Sequence, residues 1–211
     1  MTTRSQADAL RRQLVTLTRR GQRTLSNLFD TYNQAQLAEA VPHVVLPIID
    51  LAAVSTAAWY ADLDDASSFV PVDDSRVQEG RVNYTLSWAF NQTGESSPAD
   101  RFIGAFQRMV FDGSRNVVVA SAKLEGVTWH RDALPDACSF CRLLTVDPQA
   151  YDGKYVEMPS HNHDCRCLAV VSRGDNRYSP PDYVQGWRAE VEQSRSSGLT
   201  STLAAMDDSR V

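Results

Sequence analysis

Apolar and small residues recur every three or four positions along the first part of the chain, at 7, 10, 14, 17, 21, 25, 28, 32 and 35. This spacing places them on one face of a helix of about 30 residues. Arg12, Arg19 and Arg23 fall on the opposite face. A helix of that length would extend about 45 Å. We therefore expect the stripe either to pack on a second helix of the same chain or to dock on a partner.

A second segment is apolar on nearly all sides and follows Pro42 and Pro47. The pattern predicts a buried helix over about residues 48 to 62. Pro47 and Asp50 interrupt the apolar run, which is too diluted for the roughly 20 consecutive apolar residues of a membrane span. We expect a core helix here and no membrane partner.

Two further helices are predicted before the middle of the chain. One contains Tyr84 to Phe90 and ends at the turn over 92–94. The next begins at Ser97, because a serine followed by Pro98 is typical of an N-cap and a first helical position. We predict that this helix stops at Asp112 and Gly113, where a polar residue and a glycine adjoin.

The pattern changes after Gly113. The segment 116–124 contains three consecutive valines and fits a helix or a strand. Short apolar runs bounded by Gly, Pro or Asp predict strands of a small antiparallel sheet at 127–131, 154–158 and 167–171. A last helix is predicted after Pro180 and Pro181, and the end from Ser194 onward resembles a mobile tail.

All four cysteines lie in one segment, as Cys138-x-x-Cys141 and Cys165-x-Cys167, with His161 and His163 just before the second pair. Such clustering in a cytosolic chain favours a metal over disulfides, and paired thiols suit a tetrahedral zinc ion. The candidate ligands are Cys138, Cys141 and Cys165, completed by Cys167 or His163. In this closed geometry the Zn²⁺ is structural. A redox-labile pair or an unligated buried cluster remains the alternative.

Together these elements predict a mainly α fold with a small C-terminal α+β module, in which a short antiparallel sheet carries a zinc-stapled, cysteine-rich knuckle. We divide the chain into a helical region over 1–112, a Cys/His module over 113–175, and a terminal helix with a tail over 176–211. A sheet this short buries little apolar surface by itself, so a metal staple is consistent with its size.

Composition narrows the class of function. The chain has 211 residues, of which 43% are hydrophobic and 22% charged, as in soluble globular proteins. Residues 1–29 carry six arginines against one aspartate, a balance of +5, so the rest carries −10 of the total of −5. Arg12, Arg19 and Arg23 are therefore candidates for contacts with nucleic-acid phosphates, with an ordinary solvated helix face as the alternative. The first residues lack the apolar run of a secretory signal, so we expect a cytoplasmic chain.

Signatures of catalysis are weak. The sequence contains no Gly-x-Ser-x-Gly, His-Glu-x-x-His, Walker or Gly-x-Gly-x-x-Gly motif. A cysteine nucleophile (Cys138 or Cys141) could be paired with a histidine base (His161 or His163), but two paired cysteine motifs favour metal ligation. We expect no catalytic residues and no enzymatic activity.

The Cys/His module resembles the phage Mu F-type minor head proteins, most closely the versions in phages of actinobacteria. The resemblance rests on five runs of residues: 113–116, 126–131, 136–144, 161–167 and 181–187. One departure is Asn162, which stands where the family usually has a histidine, three residues before the first cysteine of Cys-x-Cys. This departure puts a histidine ligand in doubt and favours an all-cysteine site.

The resemblance implies a structural virion component in head morphogenesis, associated with the portal protein inside the capsid and assisting assembly, DNA packaging or ejection. The major capsid or scaffold protein is a further partner, and packaged DNA would meet the N-terminal arginine face. The protein would occur in the host cytoplasm during assembly and then in the virion. The alternatives are a capsid maturation protease, a label that relatives carry, and a DNA-binding accessory protein of the virion.

Overall fold

A computed structural model describes residues 2–63, 79–146, 165–173 and 178–196. Helices dominate these residues, and two short strands lie in the C-terminal half. This architecture confirms the predicted fold class, a mainly α chain with a small antiparallel sheet. In chain order the elements are α1 (Arg4–Thr31), α2 (Gln34–Ala61), α3 (Glu79–Asn91), α4 (Pro98–Glu125), β1 (Thr128–Asp132), α5 (Ser139–Val146), β2 (Leu168–Ser172) and α6 (Tyr183–Ser196).

The long N-terminal stripe is divided between two helices rather than carried by one. Helix α1 begins at a capping box in which Thr3 and Gln6 bond each other's backbone N–H. It ends before Tyr32, whose backbone is extended with φ −110° and ψ 145°. A second capping box, formed by Asn33 and Gln36, then starts α2. The prediction of one helix through residue 35 was wrong because local capping ends it there.

Helix α2 begins earlier than predicted and runs through both prolines. Each proline inside a helix removes one hydrogen bond and costs about 3 kcal/mol. Val41, Val45 and Ile49 are fully buried on the core face of this helix. Burial of such side chains contributes about 1.5–3 kcal/mol each, and further buried residues of the same face help to offset the cost of Pro42 and Pro47. The expected start near residue 48 was therefore wrong.

By length and composition, α2 is the one helix in the described part of the chain that could cross a membrane. Its core face packs against α1 and α4. The side chains on that face include Leu37 and Val45, which are at most 1% exposed. Other apolar residues of the helix are exposed, Leu51 to 49% and Val54 to 56%, and 39% of its apolar window is buried.

Helix α4 is the central element and is longer than predicted. Its start at Ser97 and Pro98 is as expected, with Ser97 accepting the N–H of Asp100. It continues through Gly113 because Ile49 of α2 packs there; a Cβ at Gly113 would lie 3.0 Å from Ile49 Cγ2. The helix ends only at Gly126, whose φ of +72° is left-handed. The predicted stop at 112–113 was wrong, and the ambiguous valine segment is helical.

Two apolar clusters meet on α4. The first joins α1, α2, α3 and the first half of α4 around residues such as Phe106. The second joins the last turns of α4 with α5, α6, β2 and the cysteines. The predicted boundary between 112 and 113 lies within this shared helix, and the division into three regions stays a prediction.

The apolar stripe of α1 packs inside the chain, which is the first of the two alternatives. Leu10, Leu14 and Leu25 are at most 1% exposed. Gly21 lies where three helices cross, since a Cβ there would meet Phe106 of α4 and Ile48 of α2.

The sheet is a single antiparallel pair within the described residues. Thr128 lies opposite Ser172, and Asp132 lies opposite Leu168. Every residue of β2 is buried. The predicted strands at 127–131 and 167–171 and the last helix are confirmed, whereas the predicted strand at 154–158 lies outside the described residues.

Candidate metal centre

The beginnings of two short elements bring the cysteine pairs together. Cys138 immediately precedes α5, and its carbonyl accepts the backbone N–H of Arg142 in the first helical turn. Cys141, the third residue of α5, therefore lies in that first turn. Cys165 and Cys167 lie in the segment that leads into β2. Spacing alone predicted this convergence of Cys-x-x-Cys and Cys-x-Cys.

Three of the thiols form a compact buried group. The Sγ atoms of Cys141, Cys165 and Cys167 all lie within 4.8 Å of one another. The Sγ atoms of Cys141 and Cys165 are 3.7 Å apart. A tetrahedron with Zn–S bonds of about 2.3 Å has an edge of about 3.8 Å, whereas a disulfide needs about 2.05 Å. None of the four cysteines, all of which the structure describes, forms a disulfide, and the three buried ones could hold a metal ion.

Cys138 is the neighbour of this group. It is half-buried, and its side chain hydrogen-bonds that of Cys141. The structure therefore brings three of the predicted cysteine ligands within 4.8 Å of one another and places Cys138 beside Cys141, outside that group. The other predicted ligand, His163, lies outside the described residues, as does His161.

Hydrogen bonds among the thiols shift their pKa values in opposite directions. Hydrogen bonds from Cys141 and then Cys167 hold the pKa of Cys165 far below its ordinary value. The pKa of Cys141 is strongly raised, first by its hydrogen bond with Cys138. The pKa of Cys167 rises to about 12, because the hydrogen bond with Cys165 and burial outweigh the lowering effect of Cys141. Cysteine ligates a metal only as the thiolate, so metal binding at this group would displace the thiol protons.

Two buried arginines contact the thiols, and the sequence reasoning missed both. Arg115 is 0% exposed, and its Nη1 lies 3.6 Å from Cys165 Sγ. Arg131 is 1% exposed, and its Nη1 lies 3.4 Å from Cys141 Sγ. Both belong to runs that resemble the Mu F-type proteins, which was the available signal. Their role depends on how α4 and β1 fold around the cysteines.

A series of ion pairs links the cysteine group to α3 through α4. Arg115 donates to the carbonyl of Cys167 at 2.7 Å and forms an ion pair with Asp112. Asp112 also pairs with Arg81 of α3 at 3.2 Å. The negative charge of Asp112 is therefore shared between two guanidinium groups.

A second buried network ties α1 to the module. Arg11 Nη2 lies 2.5 Å from Asp132 Oδ2. The other carboxylate oxygen of Asp132 accepts the hydroxyl of Tyr178 at 2.7 Å. Arg11 and Asp132 are 7% and 4% exposed. The N-terminal helix and the sheet are thereby joined through a desolvated ion pair.

The predicted phosphate-contacting residues lie on a different surface. Arg12, Arg19 and Arg23 are exposed on the face of α1 opposite the core. The described structure thus separates them from the cysteine group, which is enclosed by α4, α5 and the sheet. Whether the face meets phosphate or solvent stays a prediction.

Comparison with known proteins identifies a family. The model of the family described as VG15 protein matches residues 1–194. No curated protein and no solved structure matches the chain. Because the family match covers most of the sequence, the chain belongs to the VG15 protein family, which supports a phage origin. The predicted phage protein is confirmed at this level, and the closer likeness to Mu F-type and actinobacterial versions stays a prediction.

Proposed function

We propose that this VG15 family member is a structural minor head protein of a tailed phage, which associates with the portal inside the capsid. The family match over residues 1–194 is the observation that carries the proposal, because it supports a phage protein along nearly the whole chain. The protein assists assembly, DNA packaging or ejection and has no enzymatic role. The major capsid or scaffold protein is a further partner in the procapsid.

The cysteine group serves this function as a structural zinc site. Cys141, Cys165 and Cys167 provide three thiolate ligands, and Cys138 or His163 provides the fourth. Zinc is the best match because four soft ligands at a tetrahedral spacing are its preferred environment in proteins. Such a site holds α5 and β2 together without a coordination position for a substrate. It therefore supports a rigid module rather than a catalytic centre.

The experiment that tests the minor head protein role is quantitative mass spectrometry of purified procapsids and DNA-filled particles. We expect a few copies of the full-length chain per portal in both. Presence in procapsids alone would overturn the virion role in favour of a transient assembly factor or protease. Absence from both would contradict the proposal altogether.

The protease alternative has a separate test. A Cys138→Ser or His163→Ala variant should leave capsid-protein cleavage unchanged if the protein is structural. Loss of cleavage with zinc still bound would instead assign one of these residues to a protease.

A second candidate function is binding of packaged DNA, favoured by the exposed arginines of α1. Arg12, Arg19 and Arg23 present three positive charges on one helix face. Contacts of this kind are independent of sequence and weaken with salt.

Changing Arg12, Arg19 and Arg23 to Gln should remove salt-dependent DNA binding and leave portal association intact. The slope of log K against log salt should change by roughly 3, because each arginine that neutralises a phosphate adds about one unit to it. Arg188→Gln, at an exposed position of α6, is the control and should have little effect. Undiminished DNA binding by the triple variant would refute the role of this face.

A further inference from the structure

The second cysteine pair is the half of the group that its spacing explains least. Alternate residues of an extended strand lie about 6.5 Å apart, whereas the Sγ atoms of Cys165 and Cys167 lie within 4.8 Å of each other. The two side chains therefore converge although a single residue separates them. A side chain from another element that contacts both residues would hold this convergence in place.

Arg115 of α4 makes both of these contacts through one nitrogen atom. Its Nη1 lies 3.6 Å from Cys165 Sγ and donates to the carbonyl oxygen of Cys167 at 2.7 Å. The sulfur of the first cysteine and the backbone of the second are thus bound to the same N–H₂ group. Arg115 is 0% exposed, and a hydrogen bond shielded from water in this way is stronger than one on the surface.

The other end of the guanidinium group is fixed on α4 itself. Nη2 of Arg115 donates to Oδ1 of Asp112, three residues earlier on the same helix. Because the guanidinium group is planar and rigid, fixing Nη2 also fixes the direction of Nη1. A lysine has one nitrogen at the end of a flexible chain and would not reproduce this two-ended geometry. The contact with the cysteine pair therefore depends on an arginine at this position.

We propose that Arg115 is the positioning residue of the metal centre, which holds Cys165 and Cys167 at the separation that a shared metal ion requires, and that Asp112 orients it. The inference rests on the proposed zinc site and is independent of which residue supplies the fourth ligand. Arg115 contacts the ligands rather than the metal. Groups that hydrogen-bond a metal ligand orient it and tune the metal.

The test uses the full chain reconstituted with Co²⁺, a spectroscopic substitute for zinc. Arg115→Gln should weaken cobalt binding by about 10–100-fold, as the loss of an outer-shell partner does; competition with a chelator measures the change. Arg115→Lys keeps the positive charge without the planar group, so it should recover only part of the affinity. Wild-type affinity in both variants would refute the positioning role, and full recovery by lysine would assign the effect to charge alone and overturn the geometric proposal.

The absorption spectrum of the bound cobalt gives a second readout. The sulfur-to-cobalt charge-transfer band should move to longer wavelength in Arg115→Gln, because a sulfur without its N–H donor gives up an electron more easily. An arginine that only stabilises the fold would not move this band. An unmoved band would therefore contradict the contact between Arg115 and the Cys165 sulfur.

Arg166→Gln is the matched control. Arg166 lies between the two cysteines of the pair, but its side chain is 39% exposed and pairs with Asp136. This variant removes a positive charge beside the site and should bind cobalt with nearly wild-type affinity. A loss as large as that of Arg115→Gln would refute a specific role for Arg115. Asp112→Asn should weaken cobalt binding less than Arg115→Gln does, and an unchanged affinity would overturn the orienting role of Asp112.

A measurement on the wild-type chain decides the question if the Arg115 variants fail to fold, which circular dichroism establishes. The chain is loaded with ¹¹³Cd²⁺, and the side-chain N–H protons of Arg115 are assigned by NMR. A proton in an N–H···S hydrogen bond to a ligating sulfur should show a scalar coupling to the cadmium nucleus. Absence of this coupling would contradict the proposal. A wild-type chain that binds none of zinc, cobalt and cadmium would instead refute the underlying metal site.

Discussion

Replacing Gly21 with alanine should destabilise the protein although alanine is the better helix former. A Cβ at this position would lie 2.4 Å from Phe106 Cζ and 2.8 Å from Ile48 Cδ1. Heavy atoms do not tolerate such separations, and Phe106 is 0% exposed, so its ring has no free space to enter. The three helices α1, α2 and α4 would have to move apart.

The magnitude follows from two opposing terms. Overpacking of a well-packed core costs about 1–3 kcal/mol. The change from glycine to alanine inside a helix returns up to about 1 kcal/mol. Because the new methyl group would meet a buried ring rather than a flexible chain end, we expect the upper part of the first range. Gly21→Ala should therefore lower the free energy of unfolding by about 1–2 kcal/mol.

Urea unfolding of the full chain with zinc present measures this change. Gly186→Ala is the matched control, because no heavy atom lies within 4 Å of a Cβ at that position of α6. The control should be neutral or more stable by up to about 1 kcal/mol. Equal stability gains in the two variants would refute the close helix crossing at Gly21. Phe106→Leu should reduce the cost of Gly21→Ala, and additive effects would contradict the direct contact.

Three further predictions concern buried charge, pH and metal. Asp132→Ala should cost about 1.5–3 kcal/mol in urea unfolding, because it removes the buried carboxylate partner of Arg11 and leaves only the part-exposed Asp8; a loss below about 1 kcal/mol would contradict the ion pair. Burial raises the pKa of Tyr60 and of Tyr178. The native state thus holds these protons more tightly than the unfolded chain, whose tyrosines titrate near about pH 10. Their stabilisation is complete below about pH 10 and is lost as the pH rises further, so a urea midpoint that stays constant up to about pH 12 would refute this. Chelation should lower the unfolding temperature, while Cys141→Ser should make it insensitive to chelator.

Helix boundaries set by consecutive residues were predictable from the sequence, whereas boundaries set by packing between elements were not. The start of α4 at Ser97 and Pro98 depends on the cap itself, which consists of consecutive residues. The end of α4 was predicted too early because a glycine often ends a helix. Gly113 instead lies inside the helix and leaves room for Ile49 of α2. The prolines of α2 likewise indicated a helix boundary, but the burial of its core face keeps the helix continuous through both of them.

At the candidate site, too, the local pattern was predictable and the contacts between distant elements were not. The spacing of Cys138, Cys141, Cys165 and Cys167 was enough to predict their convergence, because paired thiols separated by a spacer are typical of one site. Arg115 and Arg131 carried no such pattern. They come from an α-helix and a strand, and their relation to the thiols exists only after both elements pack around them.

We propose that the cysteine group holds one zinc ion within a phage head protein. Native mass spectrometry of the chain released from purified particles, without reductant or added metal, tests it most directly. We expect the chain at its sequence mass plus one zinc ion, with the metal lost on Cys141→Ser. A chain found in particles without zinc, or with its thiols joined as disulfides, would contradict it.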